Sequence, residues 1–379
     1  MNRVLILSHA CVTAINQEFF ATLAHLSGWQ VTVITPSRWR NDYGRVLEPQ
    51  RWPSFNGRLV AFPVWGSGNI PLHAYRTFFG QVLREERPDF LYAHHEAYAI
   101  ATWQIYRAAA RFHPCPMAFC TWQNLYKNYP LPFRWLEQEV YHRSAMAFPG
   151  SASAMAVLRQ KGFTRPCVQV PYGSDPDLYH PQARDGDLRR SWQGSDQTVI
   201  LGYLGRLVEE KGLQTLLKVL ATLMELDWRL VLVGSGDYEQ ALRSQAIKLG
   251  LGDRLIWVGF VPHVEAPKYL ASFDLTLLPS ETRPNWKEQF GRVIIESMAC
   301  GTPVLGSDSG EIPYLIHQTG GGMVFSEGDL SELRQHLAEL ITNAHRRQSL
   351  GAQGRDYVRI HYTHEAIAQS MMTAMQSVC

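Results

Sequence analysis

Val199-Ile200-Leu201-Gly202-Tyr203-Leu204-Gly205-Arg206-Leu207-Val208-Glu209-Glu210-Lys211-Gly212-Leu213 is the stretch on which the fold turns. A short apolar run bounded by glycine reads as a buried strand, and the apolar spacing of residues 213–223 reads as the helix that follows it. The alternation continues downstream, with strands expected at 229–233, 255–258, 275–278 and 303–306. Helices are expected at 238–249, 267–271, 290–300 and 330–343, and a last one over 363–379. Upstream, strands are expected at 4–7, 31–35, 90–93 and 117–120, and helices at 17–26, 74–84 and 100–111. This rhythm implies parallel sheets covered by helices, an α/β fold. The turn-rich, polar stretch 173–197 reads as a linker between two α/β domains of the same architecture, 1–172 and 198–362. Residues 36–70, rich in Trp, Arg, Pro and Gly, resist assignment and read as an excursion near a site or a small subsheet.

A chain of 379 residues with 46% hydrophobic content has ample material for two cores. The net charge is only +2, which argues against a general nucleic-acid binder. The first 180 residues nevertheless hold the surplus of Lys and Arg, together with Trp29, Trp39, Trp52 and Trp65, and the rest hold a surplus of Asp and Glu. One reading is a surface for an anionic membrane or a lipid-linked acceptor; the other is ordinary solvated arginines. The six cysteines form no CxxC pair and suggest a reducing, cytoplasmic setting. The apolar run after Met1-Asn2-Arg3 is too short for a signal peptide, and no stretch is long enough to span a bilayer. Membrane contact would therefore be peripheral.

Two stretches carry chemistry. In the first, a strand ends at Gly205, where backbone can approach a ligand closely. Arg206 can fork onto phosphate oxygens and Lys211 can add a point charge. A departing diphosphate gains negative charge, so such cations would stabilise its departure. Both could equally be surface cations at a helix start. The second stretch runs from Pro279 to Val304. It follows a strand end, the carboxyl edge where open α/β sheets bind ligands. Amides near Gln289, Phe290, Gly291 and Arg292 would face an anion at a helix start. Glu288 precedes that helix; its plainer role would be a cap or a salt bridge. Glu296 falls on an apolar face (Val293, Ile294, Met298, Ala299) and needs a partner there, such as a ribose diol.

GRLVEEKGL, VGFVPHVEAPKYLASFD, the Glu288-x7-Glu296 segment with SMACGTPVLGSDSGEIP, and VPYGSDPDLYHP together resemble the retaining glycosyltransferases of family 4 (group 1). The resemblance covers nearly the whole C-terminal half; the N-terminal half matches in general shape. It implies a GT-B fold: two Rossmann-like domains with parallel sheets facing across a cleft, donor on the second, acceptor on the first, and a final helix returning to the first. It implies a sugar transferred from a UDP- or GDP-linked donor to a carbohydrate or lipid-linked acceptor, in polysaccharide or glycolipid synthesis, with no metal and no bound cofactor. By position, Arg206 and Lys211 would bind the diphosphate, Glu288 would face the donor sugar, Glu296 would hold the ribose, and main chain near Val261 would meet the base.

The chain departs from the family where Ser8-His9-Ala10-Cys11-Val12 replaces the usual Gly-Gly, and where Cys120 stands for a histidine. A sugar contact would then pass to Gln123 or Asn124. His94, Glu96 and Trp122 are further acceptor-side candidates. Arg283 and Lys287, in a long segment before Glu288, could add phosphate contacts. Asp175-Pro176-Asp177 and Asp185-Gly186-Asp187 fit an Asp-x-Asp metal string but sit in turn contexts that explain them. His94-His95-Glu96 is discounted as one metal site, because adjacent side chains on a strand end point apart. Two other readings compete with this one. A nicotinamide oxidoreductase lacks its Gly-x-Gly-x-x-Gly at both domain starts. A noncatalytic homologue is supported mainly by the missing histidine.

Overall fold

The computed structural model describes residues 3–41 and 44–379. Met1 and Asn2, in the apolar start, and Asp42 and Tyr43, in the 36–70 excursion, lie outside the described residues. The chain divides into two compact units. The first runs through Pro171 and takes in His364–Cys379; the second is Tyr172–Thr363.

The first unit is built on six strands: β1 (Arg3–Leu7), β2 (Gln30–Pro36), β3 (Arg58–Phe62), β4 (Phe90–Ala93), β5 (Met117–Thr121) and β6 (Met146–Pro149). They line up β6-β5-β4-β1-β2-β3, parallel throughout. The central strands are near-continuous apolar runs because helices cover both faces. One face packs Val4, Ile6, Val31 and Phe148 under Phe20 and Leu23 and under Met371 and Met375 of the helix His364–Gln376. The other packs Leu5, Leu7, Leu91 and Phe119 under Leu83, Ile105 and Val140.

The second unit repeats the plan with β7 (Val199–Leu204), β8 (Trp228–Val233), β9 (Leu255–Gly259), β10 (Leu275–Leu278), β11 (Val304–Ser307) and β12 (Gly322–Phe325). The order is β9-β8-β7-β10-β11-β12, again all parallel. In both sheets the order reverses beside the first strand, which is the switch point at which doubly wound folds hold ligands.

Several expectations change. Residues 74–84 are not one helix: Ala74–Tyr75 pairs antiparallel with Val64–Trp65, and the helix is Phe79–Glu86. Tertiary contacts override local propensity there, since Gln104 both accepts from Tyr75 N and donates to its carbonyl. The stretch 36–70 contains β3 and a short pair, Trp39–Arg40 with Val46–Leu47. The segment 173–197 is part of the second unit rather than a free connection. Arg189 pairs with Asp274 at 2.8 Å, and Trp192 stacks on Tyr269. The helices Phe133–Arg143, Ala152–Gln160, Ile312–Thr319 and Ala344–His361, and strands β6 and β12, were not anticipated. Among the described residues, no helix is long and apolar enough to cross a membrane.

Candidate functional site

In the second unit, register brings the two sequence stretches together. Leu201 and Gly202 lie opposite Leu275 and Thr276, so the chain leaving β7 and the chain leaving β10 emerge side by side. Gly212 locks the approach. It has φ +65°, and a Cβ there would meet the Pro279 carbonyl at 1.9 Å. Lys211, held by this turn, donates to Glu288 Oε2 at 2.5 Å, and Ser280 Oγ donates to the same oxygen at 2.9 Å. Lys211 and Glu288 are nearly buried (side chains 13% and 10% exposed), and Lys211 Nζ lies 5.1 Å from the Trp286 ring. Glu288's backbone is gripped in turn: Gly310, at φ +58°, could carry no side chain without meeting the Glu288 carbonyl at 2.0 Å. Gly205 N–H donates to Val233 O, and the exposed Arg206 lies 3.8 Å from Glu210. Arg206, Glu210 and Glu288 all act electrostatically on the buried Tyr203 hydroxyl, which places them in one neighbourhood with Lys211.

Glu296 lies on the helix Arg292–Ala299, which starts after Gly291. Its carboxyl is held above its ordinary range by burial, against the opposing pull of Arg292 and a hydrogen bond from Tyr179. Arg292 Nε approaches Glu296 Oε1 to 2.6 Å. The pair lies off the line of an N–H···O bond, since neither atom makes an aligned hydrogen bond among the described residues. Arg292 Nη2 also meets His263 Nε2 at 3.2 Å, and Tyr179 OH meets His263 Nδ1 at 3.1 Å. Val261 is half-buried between the exposed Phe260 and Pro262. Phe290 is buried, its ring 5.9 Å from Tyr172; Gln289 stands exposed just before it. Arg283 pairs with Glu281 at 2.9 Å and Glu209 at 3.4 Å, so its charge is already balanced by carboxylates. Asp185 Oδ1 caps the helix Gly186–Trp192, and Asp175 Oδ1 accepts from Asp177 N in a turn.

In the first unit, Leu7 pairs with Ala93, which sets Ser8-His9 beside His94-His95 at the carboxyl edge. Ser8 Oγ lies 3.1 Å from His94 Nδ1. Glu96 Oε1 accepts from Trp122 N at 2.8 Å, and burial pushes its carboxyl up to about 7. Trp122 lies flat over Gly150, where even a Cβ would meet the ring at 2.4 Å. Gln123 is engaged within its own loop, by Leu125 O at 2.6 Å and Tyr129 OH at 3.0 Å. Asn124 is buried. Cys120, expected where the family has a sugar-contacting histidine, instead belongs to the apolar core with Phe20, Tyr92 and Phe148. Strand alternation turns its thiol into that core.

With this geometry in place, comparison with known proteins is decisive. The family model described as glycosyl transferases group 1 matches residues 186–357, and a glycosyl transferase 4-like domain model matches 14–173. Residues 186–357 belong to the glycosyl transferases group 1 family. This glycosyltransferase-family chain is 31% identical over 208 residues to a GDP-mannose-dependent alpha-(1-6)-phosphatidylinositol monomannoside mannosyltransferase of Mycobacterium tuberculosis, covering 53% of this chain and 54% of the other. It is 28% identical over 192 residues to N-acetyl-alpha-D-glucosaminyl L-malate synthase of Bacillus anthracis, covering 50% and 49%. The chain thus spans about half the length of the curated relatives it matches. Among solved structures, HepE of Anabaena in complex with UDP matches with a TM-score of 0.77 at 19% identity, over 99% of this chain and all of that one. Sucrose-phosphate synthase of Thermosynechococcus elongatus matches at 0.74 and 19%, over 100% and 99%. These likenesses establish the GT-B fold of two Rossmann-like units.

Proposed function

We propose that the chain transfers a sugar from a nucleoside diphosphate donor to an acceptor hydroxyl, with retention at the anomeric carbon and without a metal at the diphosphate. The observation that carries this reading is the Lys211–Glu288 pair at the switch point of the second sheet, with Arg206 beside it. As the bond from the anomeric carbon to phosphate breaks, charge collects on the diphosphate. Lys211 has three N–H donors and Glu288 takes one, leaving others for phosphate oxygens, and the exposed guanidinium of Arg206 offers a fork. Two cations at this point would do the work that a divalent ion does elsewhere. Glu288 would face the donor sugar. Glu296 Oε1, which lacks an aligned donor, would accept a ribose hydroxyl, and main chain at Val261 would meet the base.

The acceptor would be recognised by the first unit, with His94, Glu96 and the 122–124 loop as its polar groups. A glycolipid or polysaccharide acceptor fits the surplus of cations there and the exposed Trp65, Phe78, Leu131 and Trp135, which suit peripheral contact with a cytoplasmic membrane face. Isothermal titration with UDP and with GDP, each with and without EDTA, tests the donor reading. Binding of one nucleotide, unchanged by EDTA, is expected; binding of neither would overturn it.

A further inference from the structure

Three histidines outside the proposed donor site converge in the first unit. His9 follows β1, His73 lies in the hairpin of Val64–Trp65 and Ala74–Tyr75, and His95 follows β4. One ring nitrogen from each lies within 4.8 Å of the others. His73 and His95 are 0% and 2% exposed, and His9 is half-buried. His9 Nδ1, His73 Nε2 and His95 Nδ1 are all buried and have no hydrogen-bond partner among the described residues. A single unsatisfied buried nitrogen is unusual; three in rings this close together ask for a common occupant.

We propose that His9, His73 and His95 form a binding site for a divalent transition metal ion of the zinc class. The donor set is all imidazole nitrogen, which suits zinc, cobalt, nickel and copper and not the oxygen-seeking magnesium or calcium. His73 already has the hydrogen-bond partner that orients a ligand: its Nδ1–H donates to Ile70 O at 2.8 Å, which fixes the tautomer and leaves the Nε2 lone pair without a hydrogen-bond partner among the described residues. Burial disfavours the protonated form of all three, with His9 lowered to about 3, so their nitrogens are unprotonated competitors for a cation at neutral pH. Trp39 walls the group, its ring 4.9 Å from His9 and 5.1 Å from His73.

One contact opposes the ion. The His9 backbone N–H donates to His95 Nε2 at 3.0 Å, which puts the His95 proton on Nδ1. Ligation requires the other tautomer, so one hydrogen bond is exchanged for one metal–nitrogen bond, and no net proton is released. The rings must also draw together, because nitrogens of a tetrahedral zinc site lie about 3.4 Å apart. An ion held this way would clip together three segments remote in sequence and leave a fourth position on the half-buried His9 side for water or a hydroxyl. A single bridging water is the competing occupant, since it could donate to two of the nitrogens and accept from the third.

The test uses the whole chain, stripped with chelator and dialysed against Co2+ or Zn2+ alone. One tightly held ion per chain is expected, with the visible absorption of nitrogen-ligated, low-coordinate Co2+ and displacement by Zn2+. His73→Gln should weaken binding by at least about 100-fold, while His25→Gln, on an exposed helix position, should leave it unchanged. Should His73→Gln fail to fold, the Co2+ spectrum and a Zn2+-dependent rise in Tm of the unsubstituted chain still decide. A spectrum of hydrated Co2+ only, or equal ion content in the unsubstituted chain and a His9→Gln/His73→Gln variant, would overturn the proposal in favour of water. None of these readouts involves nucleotide binding, so the outcome is independent of the donor reading.

Discussion

The carboxyl edges of the two sheets share one strand order but are furnished with opposite chemistry. The first edge carries imidazoles that burial holds neutral, His9 lowered to about 3 and His94 to about 4, set among aromatic rings. The second carries paired charges, Lys211 with Glu288 and Arg292 with Glu296. An anionic diphosphate needs charges kept in place by partners. A sugar hydroxyl or a soft cation needs lone pairs that are not already protonated. On the proposed reading, one architecture used twice would separate its tasks through edge composition rather than topology.

The comparison breaks first, and most visibly, at Lys211. Lys211→Met is expected to lower kcat by about 10²–10³-fold, measured as product from a nucleotide sugar, with the circular dichroism spectrum retained. Unimpaired turnover would remove the second edge from the chemistry. The pair itself can be dissected by denaturant unfolding. Removing Lys211 alone should cost about 3 kcal/mol, because it strands a buried carboxylate, whereas Lys211→Met with Glu288→Leu should cost clearly less than the two single changes together. Gly310→Ala should cost about 3 kcal/mol through its left-handed backbone and the Glu288 carbonyl it would strike. A near-neutral result would show that the loop holding Glu288 can yield.

Two smaller effects sharpen the contrast. The raised Glu296 carboxyl binds its proton more tightly in the folded chain, so the stability it contributes is complete below the usual carboxyl value of 4.5 and is lost as pH rises through the raised one. Glu296→Gln should therefore gain on the unsubstituted chain as pH climbs above the usual carboxyl value of 4.5, followed by Tm in matched buffers. Arg283→Ala should change nucleotide affinity by no more than about threefold, because Glu281 and Glu209 already balance that charge.

Much of this was legible in the amino-acid order, unevenly. Strands β7, β8 and β9 stand out as short apolar runs ending at or just before a glycine, and Arg206, Lys211, Glu288 and Glu296 each announce themselves as charges at strand ends or on an apolar face. That Lys211 grips Glu288 could not be read, because it depends on Gly212 folding flat against Pro279. Strand β3 was hidden because it is a sheet edge, half-exposed and without alternation. The Phe133–Arg143 helix was hidden by its charged and aromatic composition. The Cys120 substitution looked functional until strand direction placed the thiol in the core. The histidine triad had no joint signal, although His95 stood out beside His94 and Glu96: His9 and His95 are brought together by parallel pairing, and His73 by a hairpin that read as the start of a helix.

The helix His364–Gln376 lies against Glu18–Ser27 and fills the first core with Met371 and Met375. Synthesis on the ribosome therefore runs against the spatial order of the molecule. The second unit has its full complement of residues while the first still presents an uncovered methionine-shaped trough over β1 and β2. Residues of the first unit made long before are sealed only then, and a nascent chain halted before residue 364 would carry a complete second unit and an incomplete first one, a natural client for chaperones.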